Sequence, residues 1–407
     1  MANIIPFRAI RPIRNKASLV GSRSYIQYSE EDFQQKLSSN PYTFLHIITA
    51  TYGWANSKES SHTQRYSAVR NKFQEFMAKG VLTQDESPCF YLYLQEHDHI
   101  KHLGLIGAAA VQDLENNVIK GHEKTFEKRE KLFCEYLEST GINAEPVLLT
   151  HERIPELESI YGKYINHRPE YEFTTTDEVV HCLWVIEDKA DIDYIRKAFA
   201  NSVNLYISDG HHRSASSLRL AKKTKRKNPS KDFFMSIFMD FDQIDIYPFH
   251  RKVVFDNVCE TEGLMNLLIA RFSVRELDRA PNIENQGIIN LFLSGKFYEI
   301  NLETTEKSRF DSKGLDASIL NQFILEPFFD SIQKDVSEHL SFIPGKIPVH
   351  NICSEIASPE EAAFFLAPVT MDQIKVISDK GQFLPPKSTW IQPKLRSGLT
   401  IYPIFEE

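Results

Sequence analysis

The sequence predicts an α+β protein whose mixed sheets and helices are divided among several parts. Apolar runs of strand length and segments of helical periodicity occur along the whole chain. The 407 residues exceed the usual size of one hydrophobic core, and a composition of 42% hydrophobic and 25% charged residues is typical of globular proteins. We therefore expect an N-terminal α+β part at 1–115, a central core at 116–255 and a C-terminal α+β part at 256–407, whose last segment could return to the core.

The N-terminal part is predicted to contain helices and a hairpin. Ser29 is a favoured N-cap residue, and the helix that it begins stops before Asn40 and Pro41 because a residue preceding proline disfavours helical geometry. The further predicted elements are a strand from Tyr42 to Ala50, a helix from Ser67 to Met77, and the hairpin strands Cys89 to Gln95 and Leu103 to Val111.

The central and C-terminal parts alternate strands with helices. A charged amphipathic helix is predicted from Thr125 to about Ser139, and Gly141 ends it. The other predicted central elements are strands from Val147 to Leu149, His181 to Ile186 and Phe233 to Asp240, and a helix from Asp191 to Phe199. The predicted elements of the C-terminal part are helices from Leu264 to Arg271 and Ser318 to Phe329, a hairpin from Ile288 to Leu302 and a last strand from Leu399 to Ile404.

The most informative segment runs from residue 205 to residue 220. A short apolar run is followed by Asp209-Gly210-His211-His212-Arg213 and then by a segment of helical character. A helix that begins in this turn directs its first N–H groups and the positive end of its dipole towards an anion. Arg213 can clamp a phosphate or carboxylate with two hydrogen bonds, and the two histidines can donate hydrogen bonds or move protons. A surface cluster capped by Asp209 is the structural alternative.

Three more polar clusters adjoin predicted strands or helix starts. They are His122 and Glu123 with Thr125, His250 with Arg251, and Lys387 with Lys394. Each has a structural alternative: a helix start with a satisfied imidazole, a turn with an exposed arginine, and solvated lysines. Together with the central turn they supply carboxylates, imidazoles and cations, which suit phosphoryl transfer because its catalysis is mostly positioning and charge neutralisation. A metal site rich in histidine is the weaker interpretation, since adjacent histidines rarely bind one ion.

Composition excludes several classes of function. The net charge of −8 disfavours a duplex nucleic-acid binder, which would present a basic face. The sequence contains no Walker loop, no Gly-x-Gly-x-x-Gly and no nucleophile elbow. Its five cysteines are far apart, which fits a reducing compartment, and no apolar run approaches the length of a membrane span. A cytoplasmic protein is therefore expected. A small molecule is the expected substrate. The oligomeric state is left open.

Several motifs follow one another along the chain: Pro6 to Pro12, His122 and Glu123 with Thr125, His181 with Trp184, Ser208 to Arg213, His250 with Arg251, and Pro386 to Lys394 with Gly398. In these residues and in their order, the chain resembles the family known as domain of unknown function 1015 over nearly its whole length. The chain departs from the family near residues 22–25, where the family usually has Pro-Pro-Tyr-Asp and this chain has Ser22-Arg23-Ser24-Tyr25. It departs again after the central motif, where the family usually has Tyr-Glu and this chain has Ser214 and Ala215. A difference in specificity or a loss of activity could follow from these departures.

The Asp209 to Arg213 turn is also similar to the phosphate-binding turn of ParB/sulfiredoxin-like proteins, including free-serine kinases. This resemblance implies a ParB/sulfiredoxin-like core around 120–255, ATP or ADP with Mg²⁺ as cofactors, and a role in serine metabolism. It implies a nucleotide-dependent phosphotransferase acting on a small hydroxy amino acid such as free serine. The implied catalytic residues are Asp209, Glu123, His211 and His212, and the implied phosphate-binding residues are Gly210, Arg213, His122, Arg251, Lys387 and Lys394. A phosphoserine or nucleotide phosphohydrolase and a non-catalytic nucleotide or phosphometabolite sensor are the alternatives.

Overall fold

The computed structural model describes residues 1–24, 27–49, 62–201, 204–223, 229–302, 311–356 and 358–404. The chain forms two compact units, the first made of 1–121, 125–244 and 393–407, and the second of 122–124 and 245–392. Both units combine helices with sheets, so the predicted α+β class is confirmed. None of the helices in the described part is long and apolar enough to cross a membrane.

The strands, in chain order, are β1 (Ile4–Ile5), β2 (Ile10–Pro12), β3 (Leu82–Gln84), β4 (Phe90–His97), β5 (Ile100–Ala110), β6 (Ile119–Gly121), β7 (Ile142–Asn143), β8 (Val147–His151), β9 (Tyr171–Thr174), β10 (Val180–Ile186), β11 (Leu205–Asp209), β12 (Phe233–Asp240), β13 (Asp245–Tyr247), β14 (Phe249–Val254), β15 (Ser273–Leu277), β16 (Ile288–Leu293), β17 (Lys296–Asn301), β18 (Leu340–Pro344), β19 (Glu361–Phe365), β20 (Trp390–Gln392) and β21 (Tyr402–Pro403).

The α-helices are α1 (Ala17–Val20), α2 (Glu30–Ser39), α3 (Leu45–Ile48), α4 (His62–Ala78), α5 (Gln112–Glu115), α6 (Glu127–Thr140), α7 (Glu156–Ile165), α8 (Lys189–Asn201), α9 (His211–Lys223), α10 (Val258–Arg271), α11 (Asp316–Ile319), α12 (Glu326–Ser331), α13 (Val336–His339), α14 (Val349–Glu355) and α15 (Met371–Asp379). A π-helical stretch, Leu320–Leu325, joins α11 to α12 within the predicted helix from Ser318 to Phe329.

The main sheet of the first unit has the strand order β6-β11-β8-β12-β5-β4-β10-β9, and β1 pairs with β5. The β6–β11 and β8–β12 pairs are parallel, and the other pairs of this sheet are antiparallel. Its core packs apolar side chains from strands and helices together, including Phe90, Leu105, Leu149, Phe199 and Phe234. Residues 205–207 of β11 pair with β6 on one side, and β8 on the other side pairs with β11 as far as Asp209, so β8 fixes the end of β11 just before α9.

The second unit is built on an antiparallel sheet of order β15-β17-β16-β19-β14-β18. Its core is formed by buried side chains such as Leu264, Leu291, Phe329 and Phe364. Strand β18 lies at one edge, and β14 is enclosed between β18 and β19. A short two-stranded sheet joins β13 to β20.

The predicted strand from Tyr42 to Ala50 is wrong over residues 42–49, the part that the structure describes. A turn and the short helix α3 occupy this segment. The Asn40 side chain accepts a hydrogen bond from the Tyr42 N–H at 3.0 Å, and Thr43 Oγ1 accepts from the Leu45 N–H at 3.4 Å. Local bonds of this kind compete with strand pairing, so the apolar run folds as a turn and helix instead.

The predicted boundaries at 115 and 255 do not coincide with the two units. Strands β4 and β5, from the predicted N-terminal part, share a sheet with β10 and β12 from the predicted core. Residues 393–404, the last segment of the predicted C-terminal part, group with the first unit, and the prediction allowed for a return of this segment to the core. The division at 115 therefore falls inside one hydrogen-bonded sheet.

Candidate functional site in the first unit

The turn between β11 and α9 requires glycine at position 210. Gly210 has a φ of +102°, which lies outside the range that side-chain-bearing residues readily adopt. A Cβ atom at this position would also lie 2.9 Å from Arg213 Nε. The turn thus brings the Arg213 side chain directly over the backbone of residue 210. The Gly210 carbonyl accepts the first hydrogen bond of α9, from the Ser214 N–H at 3.0 Å.

A β-bulge directs the end of β11. Ile207 is paired with Leu149 and Asp209 with Leu148, so Ser208 is the extra residue of the bulge. Ser208 is buried, and its hydroxyl lies 2.8 Å from Thr150 Oγ1. Bulges of this kind turn a side chain away from the regular strand alternation. Here the residue that follows the bulge is Asp209.

The Asp209 carboxylate lies between two cations. Lys394 Nζ is 3.2 Å from Oδ2, and Arg213 Nη2 is 3.5 Å from Oδ1. Burial disfavours the charged carboxylate, but Lys394 and Arg213 outweigh it and lower the pKa of Asp209 to about 2. The side chain remains 41% exposed. Asp209 is therefore an ionised, accessible carboxylate at the start of a helix.

Arg213 is held by partners on both of its terminal nitrogens. Nη1 donates to the Pro146 carbonyl at 2.8 Å and lies 2.8 Å from Glu145 Oε1. Nη2 faces Asp209. Its role as a phosphate clamp stays a prediction, and a phosphate would have to take the place of Glu145 or Asp209.

The two histidines of the turn have different surroundings. His211 is buried, and its Cδ2 would be 3.0 Å from a Cβ atom at Gly121, so the ring packs against the end of β6. His212 stacks on Phe126, with ring centroids 5.9 Å apart. Burial and the nearby Arg129 lower the pKa of His212. His212 is therefore neutral near pH 7, a form that can both donate and accept a hydrogen bond.

The remaining predicted site residues lie in the second unit. His122 is buried, Glu123 is half-buried, and the His122 carbonyl accepts a hydrogen bond from the Leu384 N–H at 2.8 Å. Arg251 is completely buried on β14, whereas Lys387 is exposed. Within the first unit, the structure brings together Asp209, Gly210, His211, His212, Arg213 and Lys394.

Sequence reasoning missed a second charged group in the first unit. Arg396 is buried and its Nη2 lies 2.7 Å from both carboxylate oxygens of Asp177. The same nitrogen donates to Thr175 Oγ1 at 3.2 Å. Nearby, His181 Nδ1 lies 2.8 Å from the Tyr93 hydroxyl, and burial together with Arg396 lowers the pKa of His181 to about 3. The sequence feature that could have indicated this group is the position of Arg396, only two residues after the predicted site residue Lys394.

The first unit thus presents an ionised carboxylate, two cations and the N-terminus of α9 at one turn. The N–H groups in the first turn of a helix have no acceptor within the helix, and they favour an anion. The lysine and arginine would neutralise charge on such an anion. These features define a candidate anion-binding turn on an α+β scaffold.

The sequence matches a family model described as "Protein of unknown function (DUF1015)" over residues 4–318, and the chain belongs to this family. The resemblance seen in its motifs is therefore confirmed. We find no significant match among curated proteins.

Several solved structures show weak similarity to this chain. A mutant free serine kinase in complex with ADP is 15% identical, with 72% of this chain and 91% of that chain covered at a TM-score of 0.39. SbnI from Staphylococcus aureus with a C-terminal truncation is 15% identical, and the match covers 74% of this chain and 87% of that chain at a TM-score of 0.38. A conserved hypothetical protein from Pyrococcus furiosus is 15% identical, and the match covers 72% of this chain and 93% of that chain at a TM-score of 0.37. Scores this low do not establish a shared fold, so the ParB/sulfiredoxin-like core stays a prediction.

Proposed function

We propose that this protein is a nucleotide-dependent phosphotransferase that acts on a small hydroxy amino acid such as free serine. The observation that carries the proposal is the Asp209 carboxylate, kept ionised by Lys394 and Arg213 at the N-terminus of α9. Phosphoryl transfer needs cations for the transferring group and a carboxylate beside the acceptor hydroxyl. The Asp209–Arg213 turn combines these groups within a few ångströms.

The N-terminus of α9 and the glycine at 210 would receive the nucleotide phosphates. Residue 210 has no side chain, so a phosphate can approach the backbone closely. Lys394 and Arg213 would then exchange part of their contact with Asp209 for contact with phosphate oxygens. Glu145 would release Arg213 Nη1 in the same exchange, since a phosphate can accept two parallel N–H bonds from the guanidinium.

Asp209 is better suited to orienting the acceptor hydroxyl than to acting as a strong base. Its pKa of about 2 makes it a weak proton acceptor near pH 7. The transition state of phosphoryl transfer is loose and demands little deprotonation of the nucleophile. Asp209 would therefore accept a hydrogen bond from the hydroxyl and fix its direction of attack.

The reaction balances as a simple displacement. The acceptor oxygen forms a bond to the terminal phosphorus of ATP or ADP while the bond from that phosphorus to the bridging oxygen breaks. The hydroxyl proton is released, and the nucleotide leaves with one phosphate fewer. Mg²⁺, carried mainly by the nucleotide phosphates, would neutralise their charge, and the Asp209 carboxylate is of the oxygen type that this ion prefers.

The other predicted roles remain part of the proposal. His212, whose pKa is lowered, would donate a hydrogen bond to a transferring oxygen in its neutral form. His211 would do the same from the buried side of the turn. Glu123 as a catalytic residue, and His122, Arg251 and Lys387 as phosphate ligands, are predictions from the motifs.

The direct test incubates purified protein with ATP or ADP, Mg²⁺ and L-serine, and measures phosphoserine by mass spectrometry. We expect product with one of the two nucleotides, and a large loss of turnover with retained nucleotide binding in Asp209→Asn. Absence of product with both nucleotides across a panel of hydroxy acids contradicts the proposal. Phosphate release from phosphoserine without nucleotide would indicate a hydrolase, and a ligand-induced rise in Tm without turnover would indicate a sensor.

A further inference from the structure

A completely buried arginine lies in the second unit, on strand β14. Arg251 is 0% exposed and has the largest of the fully buried side chains in the described part of the chain. Its Nη1 donates to the Phe249 carbonyl at 2.8 Å. Its Nε and Nη2 have no hydrogen-bond partner among the described residues.

No carboxylate of the described residues pairs with this guanidinium. Burial alone lowers the pKa of Arg251 to about 10, so the group is still charged near pH 7. A buried charge without a partner is costly, whereas an apolar residue of similar size would fit the same place without that cost. A buried guanidinium with two unpartnered nitrogens is therefore a candidate ligand for an anion.

Two further cations accompany Arg251, and all three lie against aromatic rings. Arg251 Cζ is 4.5 Å from the centroid of Phe342, Lys387 Nζ is 5.2 Å from that of Phe249, and Lys346 Nζ is 5.6 Å from that of Trp390. We call these six residues the cation–aromatic cluster. The Phe249 ring contacts both other rings, with centroid distances of 6.5 Å to Phe342 and 5.6 Å to Trp390.

The cluster has no counter-charge in the described part of the chain. Neither lysine is ion-paired there, and both are exposed. The neighbouring His250 is buried, and burial together with Arg251 lowers its pKa to about 4, so it adds no charge near pH 7. The buried Arg251 and the two exposed lysines thus give this part of the second unit positive charge without a described counter-charge.

We infer that the cation–aromatic cluster of the second unit is an oxyanion-binding site that takes a phosphate group, either of inorganic phosphate or pyrophosphate or of a phosphorylated metabolite. The planar guanidinium of Arg251 would bind two phosphate oxygens through Nε and Nη2, a geometry that matches phosphate well. Lys387 and Lys346 would bind the same anion from the solvent side. The inference places Arg251 and Lys387, which the motifs predict as phosphate ligands, in a separate site of the second unit, so it stands without the function proposed for the turn of the first unit.

Phe342 is the cover of this site. Phe342 belongs to the edge strand β18 and is 38% exposed. Its ring lies against the buried guanidinium of Arg251. An anion at the two exposed lysines would therefore reach the buried guanidinium only after the side chains over it move, and the Phe342 ring is in contact with it. Shortening this side chain should open the site without removing a charge.

The test measures pyrophosphate binding to the full-length protein by isothermal titration calorimetry, with thermal melting in parallel. An Arg213→Ala background weakens the phosphate site proposed in the first unit, and variants of the cluster made in this background then report on the second unit. In this background, Arg251→Met should abolish binding, Lys387→Met should weaken it by about tenfold, and Phe342→Ala should strengthen it. Lys16→Met is the matched control, since Lys16 Nζ lies 3.8 Å from the Tyr42 ring outside the cluster.

The stability of the unliganded protein separates a binding role from a structural one. If Arg251 serves a ligand, Arg251→Met removes an unpaired buried charge, and the Tm without anion should rise while the anion-induced shift disappears. A lower Tm combined with unchanged pyrophosphate binding overturns the inference. If Arg251→Met does not fold, unchanged binding in both Lys387→Met and Phe342→Ala overturns it equally.

The two proposals fail in different ways. Loss of pyrophosphate binding in Arg213→Ala, with no further effect of the cluster variants, would support the turn and overturn the second site. Binding that persists in Arg213→Ala and disappears in Arg251→Met supports the second site whatever the turn does. Repeating the titration with inorganic phosphate and with phosphoserine distinguishes a free oxyanion from a phosphorylated metabolite.

Discussion

Lys394 Nζ lies 3.2 Å from the Asp209 carboxylate, although 185 positions of the chain separate the two residues. The contact attaches the segment from residue 393 onward to the strand-to-helix turn of the first unit. It also supplies, with Arg213, the positive charge that keeps Asp209 ionised. A lysine that local sequence would assign to a solvated loop is thus a component of the candidate site.

The Asp209–Lys394 contact should be energetically coupled. We expect Asp209→Asn and Lys394→Met to be non-additive, with a coupling of about 0.5–1 kcal/mol in the free energy of unfolding, because both side chains are partly exposed. Urea denaturation of the two single variants and the double variant measures the coupling. Lys222→Met serves as the control, since Lys222 pairs with Glu115 on the surface away from Asp209. Full additivity would mean that the contact does not form in solution.

Glu145 should compete with phosphate for Arg213. The two side chains lie 2.8 Å apart, so Glu145→Gln removes a negative charge from Arg213 while keeping the shape of the side chain. If Arg213 binds nucleotide phosphates, this variant should bind ADP more tightly, by several fold, in a calorimetric titration. Weaker binding in Glu145→Gln would show that the ion pair positions Arg213 instead of restraining it.

Gly210→Ala should destabilise the first unit. The positive φ is unfavourable for alanine, and its Cβ would meet Arg213 Nε at 2.9 Å. We expect a loss of about 1–3 kcal/mol in the free energy of unfolding together with reduced nucleotide binding. The matched control is Gly162→Ala, because Gly162 lies within α7 with no heavy atom within 4 Å of the added Cβ. This control should stabilise the protein slightly, as alanine favours helices.

The Arg396–Asp177 pair should contribute to stability above pH 4. Burial opposes ionisation of Asp177, but Thr175 and Arg396 lower its pKa from 3.8 to about 2. Since the pKa is lower in the folded state, the contribution is complete above the unfolded value and is lost as the pH falls through about 2. Asp177→Asn should therefore lower the Tm at pH 7 and flatten its dependence on pH between about 4 and 2.

The control for this pH series is Asp193→Asn, which changes an exposed acid on α8. It should leave the acid limb of the Tm profile unchanged. An identical limb in Asp177→Asn and in the natural protein would contradict a stabilising role for the pair. If Asp177→Asn lowers the Tm at pH 7 but does not flatten the dependence of the Tm on pH, the packing around Arg396, and not its charge, would account for the loss of stability.

Helices and strands were predictable where the sequence contains both a hydrophobic pattern and the residues that end it. Strand β11, the turn at Gly210 and helix α9 follow from an apolar run, a glycine and a helical segment in direct succession. The same reasoning failed for residues 42–49, where the Asn40 and Thr43 side chains accept local backbone hydrogen bonds that compete with strand pairing. Strand pairing joins segments that are remote in sequence, so β4 and β5 share a sheet with β10 and β12 across the predicted boundary at 115.

By itself, the sequence determined the family, the α+β class and the chemistry of the Asp209–Arg213 turn, because glycine geometry and helix N-termini are local properties. Only the tertiary structure decided which charges meet there. It placed Lys394 on Asp209 and Glu145 on Arg213, and it buried Arg251 without a described counter-charge in the other unit. The physical reason is that ion pairs and desolvation depend on distances across the fold, which topology fixes and local sequence does not record.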